Sequence, residues 1–201
     1  GKSTTAYAMA LNLARIGKRT LLVDGDLRNQ SVHRTLSLDN SRGFSAYLSG
    51  AAKLEDLVQA SNSDNLWVMT CGSLPPNPAE LLSGERLKAF INEVGQHFDH
   101  LVIDGPPVLG FADAPILAHN VGGVLFIIDA RSTRRTQVRG ALRRLRMGDG
   151  HVVGAALTKF AASAVEYGGY NYAYDYAYGL THEAAEADGA KKGKRGKARK
   201  N

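Results

Sequence analysis

The feature that most constrains this chain is an alternation of two patterns. Short apolar runs, TLLVD (20–24), LWVMT (66–70), LVID (101–104), VLFIID (124–129) and VVGAALT (152–158), read as buried strands. Between them lie segments with helical spacing. Ala6, Met9, Ala10 and Leu13 recur at i, i+3, i+4, i+7, and so do Val138, Ala141, Leu142 and Leu145. PPNPAELL (75–82) is a proline-rich entry to another helix. Strands that alternate with helices predict βαβ units. The expected fold is therefore α/β and doubly wound, a mainly parallel sheet with helices on both faces.

The pattern stops after Phe160. Residues 161–201 are rich in Ala, Gly, Tyr, Lys and Glu and have no periodic apolar face. The expected organisation is one domain over 1–160 and a flexible tail over 161–201. The tail holds two unusual segments. Six of the eight tyrosines, Tyr167, Tyr170, Tyr172, Tyr174, Tyr176 and Tyr178, fall in 167–178. Residues 191–201 carry seven of the 25 Lys and Arg, leaving 18 against 19 acids elsewhere. The net charge of +6 thus belongs mainly to the tail, where it could draw the chain to an anionic membrane surface. No apolar run approaches the ~20 residues of a membrane span. The single cysteine, Cys71, excludes an intramolecular disulfide framework and fits a reducing, cytosolic setting. It reads as a packed loop residue, and the six scattered histidines show no metal spacing.

Chemistry enters at the first residues. Gly1-Lys2-Ser3-Thr4 matches the end of G-x-x-x-x-G-K-[ST], a loop whose backbone N–H groups cradle phosphates at a helix N-terminus. The start without methionine reads as a fragment, with the first strand and the opening of the phosphate loop absent. Asp24 ends one strand, with Asp26 two residues on, and Asp104 ends another. The carboxyl ends of parallel strands line the ligand crevice, so all three should face the loop at Gly1. Carboxylates gathered beside phosphates imply magnesium, which prefers oxygen ligands.

Together these segments resemble the cytoplasmic kinase domain of the bacterial tyrosine kinases that regulate exopolysaccharide and capsule synthesis. The matching pieces are GKST with LNLA (11–14), LLVDGDLRNQSVH (21–33), GFSAYLSG (43–50), LPPNPAELL (74–82), FDHLVIDGPPVLGFADAPILA (98–118) and the tyrosine cluster. The resemblance implies a P-loop NTPase fold, with ATP and Mg2+ as cofactors. Gly1, Lys2, Ser3 and Thr4 would bind nucleotide, with Lys2, Asp24 and Asp26 catalytic. Ser3, Asp26 and Asp104 would serve the metal, Asp104 as the Walker B aspartate. Asp24 is the expected acceptor of the tyrosine proton; Asp24 and Asp26 could exchange roles. The resemblance also implies autophosphorylation of the six clustered tyrosines, mostly between subunits of a ring. Further implied partners are a transmembrane co-polymerase-type activator, separate or fused upstream, and a tyrosine phosphatase. The implied location is the cytoplasmic face of the bacterial inner membrane. Leu157-Thr158 stands where the family often has Leu-Asn near the base.

Partition and septum-site ATPases share the first and third motifs but not the tyrosine cluster. A nucleic-acid binder would use the basic tail, yet would leave the three aspartates without a role, so nucleic acid is not an expected partner. Arg135, Arg139 and Arg143 repeat every four residues and share a helix face, either a solvated surface or a docking surface for phosphotyrosines or for a neighbour's acidic patch.

Overall fold

Thr20–Asp24 forms the central strand, and all five of its residues are buried. A strand buried on both faces needs a nearly continuous apolar run, and TLLVD supplies it. This computed structural model describes residues 1–160. The tail expected over 161–201, with the tyrosine cluster and the basic segment 191–201, lies outside the described residues.

In chain order the elements are α1 (Lys2–Arg15), β1 (Thr20–Asp24), α2 (Val32–Leu36), α3 (Phe44–Ser49), β2 (Gln59–Ala60), β3 (Leu66–Met69), α4 (Pro78–Ser83) and α5 (Glu85–His97). They continue with β4 (His100–Asp104), α6 (Asp113–Asn120), β5 (Val124–Asp129), α7 (Arg135–Met147) and β6 (Val152–Thr158). β1 pairs in parallel with β3 on one side and β4 on the other. The short β2 pairs antiparallel at the outer edge of β3.

Alternation along β1 sorts the core into two layers. Leu22 packs with Ala10, Ala14, Leu66 and Val68 under α1. Leu21 and Val23 point the other way, into a cluster with Met69, Leu87, Phe90 and Val94. Phe90 joins that layer by aromatic contacts with Phe44 and Tyr47, at centroid distances of 4.9 and 5.1 Å. Helices therefore cover both faces, as the doubly wound expectation required.

The sheet departs from a single continuous array. Among the described residues it forms a four-stranded part, β2-β3-β1-β4, and a two-stranded parallel part, β5-β6. Between β4 and β5 lies a slot of about 770 Å³, lined by Leu101–Asp104 on one side and Val124–Ile127 on the other. The slot explains a second difference. Met9, expected on the buried stripe of α1, is 46% exposed because it lines this opening. The buried stripe of α1 runs instead through Ala10 and Ala14. Thus the first helix and the strand ends are fixed by two apolar layers, while the sheet is interrupted next to them.

Candidate active site

α1 begins at Gly1 with no side-chain cap and no acid in its first turn. Its first N–H groups lack intrahelical partners, which makes this helix end attractive to an anion. Gly1 packs against the end of β6. A Cβ there would meet the Thr158 Oγ1 at 2.6 Å, so any larger residue would have to displace the Thr158 side chain. Thr158 itself donates to the Ile128 carbonyl at 3.3 Å.

The strands bring the acids to the same place. In the parallel β1-β4 pair, Asp24 and Asp104 are register partners at the carboxyl ends. Both are buried, at 0% and 3% exposure. Gly25 makes this close approach possible. Its N–H donates to the Asp104 carbonyl at 3.0 Å, and a Cβ at Gly25 would strike Ile103 at 2.6 Å.

Asp24 organises the loop that follows it. Its Oδ2 accepts from the backbone N–H of Ser31 at 2.9 Å and of Val32 at 3.0 Å, and its Oδ1 from Asp26 at 3.3 Å. Burial pushes the Asp24 carboxyl above its usual range, and these three N–H groups pull it part-way back. Asp26 accepts through Oδ1 from the N–H of Arg28 and Asn29. Its Oδ2 makes no hydrogen bond to the described residues. Burial also pushes Asp104 up. The hydroxyl of Ser3 is its main counterweight, with the charge of Lys2 a further one. Ser3 in turn accepts from the Ser31 hydroxyl at 2.8 Å.

Lys2, Ser3, Asp24, Asp26 and Asp104, separated in sequence by up to about a hundred positions, therefore meet at the open end of α1. Thr4 is exposed in the first turn of the same helix. Among the described residues no three His, Cys, Asp or Glu side chains form a ready-made metal cage. The donor set is all oxygen, a serine hydroxyl with carboxylates. That suits a magnesium ion that takes its remaining ligands from phosphate and water.

Sequence reasoning missed one component. The Arg28 guanidinium grips Asp113 with both arms, Nε to Oδ2 at 2.6 Å and the terminal nitrogen to Oδ1 at 3.1 Å. It also lies over the Phe111 ring, 3.8 Å from the centroid. This clamp ties the loop after β1 to the start of α6, and so frames the mouth between Asp26 and Asp104. Both residues lie inside the quoted matching segments, but nothing in their spacing linked them. Cys71 fits its reading as a packed residue. It is fully buried, with Sγ 3.8 Å from the Asp26 carbonyl. Burial first, then the charges of Asp24 and Asp26, push its thiol up to about 12, so it is not a nucleophile.

Comparisons with known proteins show the family and the fold. A family model described as an AAA domain matches residues 1–129. The tyrosine-protein kinase YwqD of Bacillus subtilis is 39% identical over 171 residues, covering 85% of this chain and 72% of the relative. The chain belongs to the bacterial tyrosine-protein kinases. Its fold matches the VpsO kinase domain with a TM-score of 0.75 at 31% identity, over 80% of this chain and 79% of that one. The septum-site-determining protein MinD from Pyrococcus horikoshii, solved in complex with Mg-ADP, has a TM-score of 0.63. At 21% identity, over 78% of this chain and 64% of that one, it shares the fold alone. The kinase domain described here is thus a P-loop NTPase of the tyrosine-kinase type. Its Asp24-Gly25-Asp26 turn and Ser3-Asp104 contact form one surface. No helix among the described residues is long and apolar enough to cross a membrane.

Proposed function

We propose that this kinase domain uses Mg-ATP to phosphorylate its own C-terminal tyrosines, Tyr167, Tyr170, Tyr172, Tyr174, Tyr176 and Tyr178. The proposed transfer runs between subunits of a self-associated ring, at the cytoplasmic face of the inner membrane. It is stimulated by a transmembrane co-polymerase-type partner, reversed by a tyrosine phosphatase, and serves exopolysaccharide or capsule export. The observation that carries the catalytic part is the convergence of Lys2, Ser3, Asp24, Asp26 and Asp104 at the uncapped N-terminus of α1. One fold-mate was solved with Mg-ADP, which makes Mg-ATP the donor to test first.

Phosphoryl transfer asks mainly for positioning and charge neutralisation. Lys2 and the first N–H groups of α1, with Gly1 and Thr4 in the loop, hold the phosphate oxygens. Ser3 and Asp104, with Asp26 near by, would hold a magnesium ion, which would supply neutralisation of the phosphate charge. A phenol has a pKa of about 10 and keeps its proton at neutral pH. A carboxylate must take that proton as the new O–P bond forms and the bond to ADP breaks. The proposed acceptor is the Asp24–Asp26 pair. Asp24 has the raised affinity for a proton, but its oxygens already serve three backbone N–H groups. The free Oδ2 of Asp26 gives the pair its outward-facing oxygen.

The test is incubation of the chain with Mg-ATP, followed by phosphotyrosine mapping by mass spectrometry. Phosphotyrosine in 167–178 is expected, and on the order of a hundredfold less of it in Asp26→Asn and Asp24→Asn. Full activity in both variants would remove the pair from the mechanism. ATP hydrolysis with no phosphotyrosine would overturn the kinase reading of this chain.

A further inference from the structure

The helix α7 carries chemistry that the active site does not use. Residues 131–147 contain seven arginines and no Lys, Asp or Glu. Arg144 is committed, donating to the Phe111 carbonyl at 2.9 Å. Arg139, Arg143 and Arg146 are exposed, and none forms an ion pair or side-chain hydrogen bond with the described residues. The nearest acid before the helix, Asp129, is already paired with Lys159 at 2.5 Å. Ala141 and Leu145 anchor the opposite face of α7 in the core, so the arginine face is held in position.

These arginines do not stand on a uniformly polar surface. Arg139, Arg143 and Arg146 share a shallow groove of about 440 Å³ with Leu142 and Met147. Met147 is 77% exposed, unusual for an apolar side chain with no role in the core. The groove therefore offers an apolar floor and a guanidinium rim. A phosphate alone would use the rim and ignore the floor. A flat anionic surface would reach the rim but has no group to fill the groove. An aryl phosphate matches both parts, with its ring on Leu142 and Met147 and its dianion among the guanidinium forks. Residue choice points the same way. Arginine binds phosphate oxygens two at a time, whereas lysine acts as a point charge. The groove region is all arginine, while the basic segment 191–201 has five lysines and two arginines.

We infer that the α7 groove is a docking site for phosphotyrosine, occupied by the phosphorylated 167–178 segment of another copy of this chain. The identity of the occupant rests on the autophosphorylation reading above; the aryl-phosphate chemistry of the groove does not. Each phosphorylation adds a charge of about −1.5 to −2 to a segment that holds only Asp175 as an acid. The product would thus leave the acidic active site for a basic surface on a neighbouring subunit.

The experiment is fluorescence anisotropy of a labelled synthetic peptide of residues 165–180, phosphorylated on its tyrosines, against the full chain pretreated with tyrosine phosphatase. Binding is expected to weaken about tenfold or more without the phosphates, and similarly in Arg139→Glu/Arg143→Glu. Met147→Ser should weaken the phosphotyrosine peptide about threefold but leave a phosphoserine version of it unchanged. All three residues are surface residues, so an unchanged thermal midpoint certifies the fold. Equal binding with and without phosphate, or no effect of the double charge reversal, overturns the proposal. So does loss of binding to phosphatidylglycerol vesicles, rather than to the peptide, in that variant. The peptide is phosphorylated synthetically, so its failure to bind leaves the kinase reading intact. Conversely, absence of phosphotyrosine after Mg-ATP treatment would strike that reading and not the chemistry of the groove.

Discussion

Asp24 and Asp104 sit side by side at the carboxyl ends of two adjacent parallel strands, both buried. Nothing about β-sheet packing favours two carboxylates there. Burial raises the pKa of each, and the charge of Asp24 raises that of Asp104 further. At neutral pH the pair is therefore a cost to the fold, accepted for the site it builds.

That cost has a definite pH signature. Below the ordinary carboxylate value of 3.8, Asp104 holds its proton whether the chain is folded or not. As pH rises through its raised folded value, the buried group charges and stability falls. Asp104→Asn removes the charge and keeps the shape. In EDTA at pH 8, its thermal midpoint should exceed that of the parent chain by about 2–6 °C. The gain should shrink towards pH 4, and phosphotransfer should fall on the order of a hundredfold. A midpoint difference that does not change with pH would show that Asp104 is not a strained carboxylate.

Arg28 and Asp113 make the opposite kind of contact, a stabilised one. The guanidinium satisfies both oxygens of a carboxylate that is only 1% exposed. Arg28→Ala would strand that carboxylate and free the loop carrying Asp26. Thermal stability should drop, and kcat/KM should fall by about tenfold or more as the loop loses its place. Arg28→Lys should rescue little, since one ammonium cannot span two oxygens in this geometry. Recovery of both stability and kcat/KM by lysine would mean that charge alone matters here.

The readable and unreadable parts of this chain divide along physical lines. β1, β3 and β4 were legible because neighbouring strands of a parallel sheet need continuous apolar runs, and LLV, LWVM and LVI supply them. Lys2, Ser3, Asp24, Asp26 and Asp104 were legible because they end strands or start a helix, where topology alone brings them together. The Arg28–Asp113 clamp was not, because its partners lie 85 positions apart and carry no periodicity. The position of Met9 was misjudged for a related reason. Helical spacing tells which residues share a face, but not that the neighbouring sheet is open beside that face.

The tyrosines separate into two kinds. Tyr47 is 6% exposed and donates to a Glu93 carboxylate oxygen at 2.5 Å. Burial first, and then Glu93, push its hydroxyl up to about 12, the reverse of what an acceptor needs. Tyr47→Phe should cost about 1–2 kcal/mol of stability and leave phosphorylation unchanged. Changing the six tyrosines of 167–178 to Phe should do the reverse, abolishing most phosphotyrosine while nucleotide binding and thermal midpoint stay the same. Mass spectrometry and thermal denaturation of both variants check this. Substantial phosphotyrosine remaining in the six-Phe chain would move the acceptor site elsewhere.

The slot between β4 and β5 makes the last prediction. Each of these strands is paired on one side only, β4 with β1 and β5 with β6. Their facing edges therefore present backbone N–H and C=O groups with no ladder partner among the described residues. Such groups beside an apolar slot are costly to leave unpaired, and exposed edges invite association. Gly1 lines the same slot, so residues placed ahead of it would enter between the two edges. An added segment of about five extended residues, rich in Val and Ile and joined to Gly1 through a short glycine-rich loop, would pair with both strands and cover Met9. It should raise the thermal midpoint by several degrees, lower binding of a hydrophobic dye, and reduce aggregation. A proline at the centre of the added segment removes a ladder donor and should erase most of that gain. If the apolar and proline-bearing segments stabilise equally, the slot is not a strand position.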